Sequence, residues 1–124
     1  MPHFIVECSE SVTRMAAPED LIDAVFEAAD SSGLFASAGA GGIKVRLQTF
    51  RHYRNVEGRE HFVHVFGYIM EGRTTEQKAS LSTAVVRALR TLLPEVDIVS
   101  MNVFDFERAT YRNALMVELT DASR

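Results

Sequence analysis

Two strand-like stretches in this chain are each followed by a helical stretch and then by a second strand, and this order constrains the fold more than any single residue does. In the first half, "HFIVEC" (residues 3–8) is compact and β-rich, which predicts a strand. After a polar stretch, Pro18, Glu19 and Asp20 suit a first helical turn: proline has no N–H to lose there, and acids favour the positive end of the helix dipole. Leu21, Ile22, Val25 and Phe26 form an apolar helical stripe, and "DSSG" closes the helix with Gly33. "SAGAGG" reads as a flexible loop. "IKVRLQTF" then alternates, with Ile43, Val45, Leu47 and Thr49 on one face and Lys44, Arg46 and Gln48 on the other. In the second half, "RNVEGRE" is a polar link and "HFVHVFGYIM" predicts a strand over about 61–70. Thr74 and Gln77 have capping-box spacing, Leu81, Val85, Leu89 and Leu92 keep a helical period, and Pro94 ends that helix. "VDIVSMNVFDF" is the final strand. The tail from Glu107 has weak periodicity and frays into polar residues.

The expected architecture is α/β (α+β): one domain of two β-α-β halves, about 1–56 and 57–124. Parallel crossovers within each half favour a right-handed connection. Two helices on one face of a four-stranded sheet leave the other face open. That face carries Phe and Met among polar groups, which predicts burial against another subunit.

Several classes of function are excluded by composition. The net charge of −4 provides no basic field for nucleic acid or an anionic membrane. The apolar runs are too short for a transmembrane helix, and "MPHFIVECSE" lacks the basic region of a signal peptide. Cys8 is the only cysteine, so no internal disulfide forms; a reducing compartment, the cytoplasm, is expected, with Cys8 as a small core residue.

Few residues stand out chemically. If Met1 is removed, Pro2 carries a free secondary amine that can act as a base; if Met1 stays, Pro2 is a tertiary amide with no N–H. Arg73 falls where a strand hands over to a helix, after Gly72. It is placed either to grip a carboxylate or to stand in solvent at a helix start, where its loss would alter stability little. Lys44 and Arg46 share a strand face and either bind an anion or pair with nearby acids. His61 and His64, three apart on a strand, point to opposite faces and make no metal site. The "GAGG" loop lacks the Lys-Ser/Thr of a phosphate-binding loop, and no Ser-His-Asp arrangement follows from spacing.

"MPHFIVECS" resembles the start of 5-carboxymethyl-2-hydroxymuconate isomerases, and "EGRTTEQK" resembles the strand-to-helix motif of the small 4-oxalocrotonate tautomerases. Both belong to the tautomerase superfamily, which includes macrophage migration inhibitory factor. The resemblance implies repeated β-α-β units assembled as a homotrimer, an isomerase acting on a small carboxylate, and no metal or organic cofactor. It implies Pro2 as catalytic base and two cationic binding residues, Arg73 and Lys44. Lys44 is a departure, since the family typically has arginine there; lysine keeps the charge but loses the planar fork. Arg46, on the same face, either compensates or is structural. Two alternatives stand beside this: a superfamily member with another substrate, and a ferredoxin-like ligand-binding or regulatory module with the same element order, a non-enzyme that would use its open face for dimerisation.

Overall fold

A computed structural model describes residues 1–36 and 42–122; the loop expected at 37–42 lies, apart from Gly42, outside the described residues. The elements run β1 (His3–Ser9), a short 3₁₀ turn (Glu10–Arg14), α1 (Pro18–Ser31), β2 (Lys44–Phe50), β3 (Val63–Met70), α2 (Thr75–Leu92), β4 (Val99–Phe106), a second 3₁₀ turn (Arg108–Thr110) and α3 (Ala114–Ala122). One sheet contains all four strands in the order β2-β1-β3-β4. The outer pairs, β1 with β2 and β3 with β4, are parallel, and the halves meet along the antiparallel β1–β3 pair. In a split βαβ unit another strand separates the two parallel partners. Here β1 and β2 are hydrogen-bonded neighbours, so the ferredoxin-like alternative is set aside.

Period-two alternation decides which side chains meet the helices. Phe4, Val6, Cys8, Val63, Val65 and Ile69 pack with Leu21, Val25 and Ala29 of α1 and Leu81, Val85 and Leu89 of α2 in one buried cluster. The stripe on α1 differs from the one expected. Leu21, Val25 and Ala29 recur every fourth residue and face the sheet, whereas Phe26, a step of ~100° away from Val25, is 41% exposed. Thr74 caps α2 as its spacing predicts: Gln77 N–H donates to Thr74 Oγ1 (3.1 Å) and Thr74 N–H donates to Gln77 Oε1 (2.9 Å). Gly67 is required by packing, because a Cβ there would lie 2.7 Å from Met101 Cε and 3.2 Å from the Phe4 ring.

The opposite face carries residues of the other parity in rows across the strands. Lys44, His3, Tyr68 and Phe104 form one row, and Arg46, Ile5, Phe66 and Asn102 form the next. Tyr68 and Phe66 both stack on Phe104, at 5.3 and 6.3 Å between centroids. No helix among the described residues covers this face. The tail departs from the expected fraying: Asn113 Oδ1 accepts from Met116 N–H (2.9 Å) and caps α3, whose Leu115, Val117 and Leu119 are exposed. No helix among the described residues is long and apolar enough to cross a membrane.

Candidate active site

The strand order brings the start of β1, the start of β2 and the ends of β3 and β4 to one end of the sheet. Pro2 is buried there, and its carbonyl accepts from Lys44 N–H (3.1 Å), which extends the β1–β2 ladder to the chain terminus. Two nitrogens converge beside it. The α-amine of Met1 and the Lys44 ammonium both donate to the Gly42 carbonyl, at 3.5 and 2.7 Å. Burial, a hydrogen-bonding interaction with Lys44 and the charge of Lys44 lower this amine from 8.0 to about 6. A like charge next to an amine disfavours its protonated form, so the lone pair is available at neutral pH.

Arg46 lies one step further along the same face. Its Nη1 donates to His3 Nδ1 (3.1 Å). Among the described residues neither Lys44 nor Arg46 forms an ion pair with Asp or Glu. An aromatic wall borders the cations: the His3 ring meets Phe106 edge-on at 6.2 Å, and Phe106 continues to Tyr68 and Tyr111. His3, Tyr68 and Phe106 were not legible as site residues, because only the β1-β3-β4 order brings them together.

Arg73 sits at the same end of the sheet but its bonds lie elsewhere. Gly72 precedes it with φ +118°, a backbone that favours glycine and turns the chain from β3 towards α2. The Arg73 guanidinium donates to the carbonyls of Met70 (3.0 Å) and Leu34 (2.8 Å) and lies 5.2 Å over the Phe35 ring, on the helix side. The side chain is half-buried rather than free in solvent. Arg73→Ala is therefore expected to lower the unfolding free energy by about 2 kcal/mol, since two carbonyls lose charged donors. Urea denaturation checks this, and an unchanged midpoint would remove the anchoring role.

The remaining sequence candidates resolve locally. His61 precedes β3 and its Nδ1 lies 2.7 Å from Ser11 Oγ, whereas His64 Nδ1 lies 2.6 Å from Ser100 Oγ on the open face. Among the described residues no group of His, Cys, Asp and Glu is arranged to hold a metal. Cys8 is buried, and burial pushes its thiol up to about 11.

The sequence profile of the 5-carboxymethyl-2-hydroxymuconate isomerases matches residues 2–115. The chain belongs to this isomerase family. No curated protein sequence matches it. Among solved structures, a 5-carboxymethyl-2-hydroxymuconate delta-isomerase superposes with a TM-score of 0.66 at 17% identity, covering 100% of this chain and 93% of that one. A 5-carboxymethyl-2-hydroxymuconate isomerase from Deinococcus radiodurans R1 gives 0.65 at 21% identity over 95% and 93%. A fused 4-OT, solved as a symmetric trimer, gives 0.63 at 17% identity over 85% and 87%. At these identities the likeness is one of fold. Family membership and the shared tautomerase fold together place the protein among isomerase- and tautomerase-type enzymes.

Proposed function

We propose that this protein moves a double bond in a small unsaturated 2-hydroxy di- or tricarboxylate of the 5-carboxymethyl-2-hydroxymuconate kind, with the amine of Pro2 as general base. The observation that carries this is the first amine of the chain, lowered to about 6 where it converges with Lys44 on the Gly42 carbonyl. Removal of Met1 moves the free amine one residue further into the same corner. There the pyrrolidine nitrogen takes the proton of the substrate's 2-hydroxyl. The electron pair forms the C2 carbonyl, the double bond shifts, and the pyrrolidinium returns the proton to a carbon further along the conjugated chain. Lys44 and Arg46 hold carboxylates and oppose the charge of the dienolate. Arg73, in this reading, contributes its charge and the anchoring of Leu34 at the sheet end; to bind a carboxylate it would have to leave the Met70 and Leu34 carbonyls.

The assay is direct. A chain beginning at Pro2 should convert 5-carboxymethyl-2-hydroxymuconate with saturable kinetics, followed by the loss of dienol absorbance. No conversion above the uncatalysed rate would overturn the proposal. The open face and the exposed apolar residues of α3 support association between copies, and a homotrimer is the assembly we propose. Light scattering at micromolar concentration should then give three times the 13.8 kDa chain mass, and a monomer would exclude it.

A further inference from the structure

The bond between Arg46 and His3 is diagonal, and its direction matters. Arg46 pairs in register with Ile5, so its two diagonal neighbours on β1 are His3, towards the chain terminus, and Glu7, away from it. Charge alone favours the Glu7 carboxylate. The guanidinium instead donates to His3 Nδ1, and among the described residues Glu7 takes no ion pair. A guanidinium has only N–H donors, so His3 Nδ1 is the acceptor in this bond, and its ring meets Phe106 edge-on. Burial first, and then the charges of Arg46, Lys44 and the chain terminus, lower its pKa and keep it neutral.

We propose that His3 is a positioning residue, whose Nδ1 draws the Arg46 guanidinium towards the chain terminus so that Arg46 anchors a second, distal substrate carboxylate beyond the one held by Lys44. This rests on the reading of the corner as the substrate site. Lys44 and Arg46 leave the strand two residues apart, ~6.6 Å. That span is comparable to the separation of the two carboxylates in an extended six-carbon diacid. Without the His3 acceptor, Arg46 is free to swing to Glu7, and the distal anchor is lost while Lys44 stays in place. The site would then discriminate poorly between diacids and monoacids.

The test is a titration with muconate and with sorbate, which share a six-carbon diene and differ in the distal carboxylate. Wild-type protein should bind muconate more tightly. His3→Phe, which keeps a ring against Phe106 but has no acceptor, should weaken muconate roughly tenfold and sorbate less than twofold. His3→Asn, whose side-chain oxygen replaces Nδ1 as acceptor, should recover most of the muconate affinity. In an Arg46→Ala background, His3→Phe should have no further effect on muconate. Equal losses for both ligands, no recovery with His3→Asn, or a wild type that binds neither ligand or does not prefer muconate would each overturn the proposal. Thermal melts of both variants report whether they fold, and His3→Asn carries the test if His3→Phe does not. Binding needs no turnover, so failure of the isomerase assay would remove the catalytic reading while this titration still decides the role of His3.

Discussion

Retaining Met1, or extending the chain before Pro2, is expected to lower kcat/KM by at least about a hundredfold, the lower end of what a general base contributes. The cause is chemical rather than structural. With Met1 in place the Pro2 nitrogen is a tertiary amide without a basic lone pair. The sheet needs nothing from that nitrogen, since the ladder at this end uses the Pro2 carbonyl and Lys44 N–H. Circular dichroism and thermal stability should therefore match between the two forms while turnover differs. Intact mass identifies which form is assayed. The processed form carries a second signature. Activity requires the unprotonated amine, so kcat/KM should be high above its pKa and fall as pH drops through it. Burial and Lys44 lower the amine of residue 1 to about 6. The same two causes act on Pro2, so the ascending limb should lie well below the ~8 of an ordinary α-amine. Pro2→Ala should keep part of the activity through a primary amine. Equal turnover by a form shown to retain Met1 would remove Pro2 from the mechanism.

Phe4→Ala is expected to cost about 3–5 kcal/mol of stability, the range for truncating a fully buried aromatic. Phe4 is 0% exposed, meets Phe35 edge-on at 5.9 Å, and passes close to Gly67. The cavity left behind would open beside Gly67, where a Cβ now has only 3.2 Å to the Phe4 ring. Gly67→Ala should thus destabilise the wild type by roughly 1–3 kcal/mol through overpacking. The same change should cost less, or stabilise, in the Phe4→Ala background, where it fills space. Urea denaturation of the four proteins gives the coupling. Additive losses would show that Met101, not Phe4, sets the limit at Gly67.

The parts of the fold that were legible in the sequence are those governed by neighbours along the chain. Alternation in "IKVRLQTF" identified β2, Pro18 marked the first turn of α1, and the Thr74–Gln77 pair identified the start of α2. Tertiary packing overrode the local pattern on α1, where Ala29 takes the buried place in preference to the larger Phe26. The cap of α3 was present in the sequence at Asn113 but hidden by a helix of only nine residues. In the candidate site, Pro2, Lys44, Arg46 and Arg73 stood out by residue type and by place. Some of their partners did not, because they come from distant segments: His3 and Arg46 are 43 residues apart, and Arg73 and Leu34 are 39 apart. No spacing rule reaches that far.

The antiparallel meeting of β1 and β3 relates two similar strand-helix-strand halves, so the chain has two corners where a strand begins beside its parallel partner. One is at His3 and Lys44, the other at Val63 and Val99. The second is entered by continuous chain: Phe62 N–H donates to Ser9 Oγ, and Ser11 meets His61. A duplicated half can copy a fold, a cap or a cation, but a polypeptide has one amino terminus. Chemistry that depends on that amine has a stoichiometry of one per chain, and the second corner has no counterpart to it.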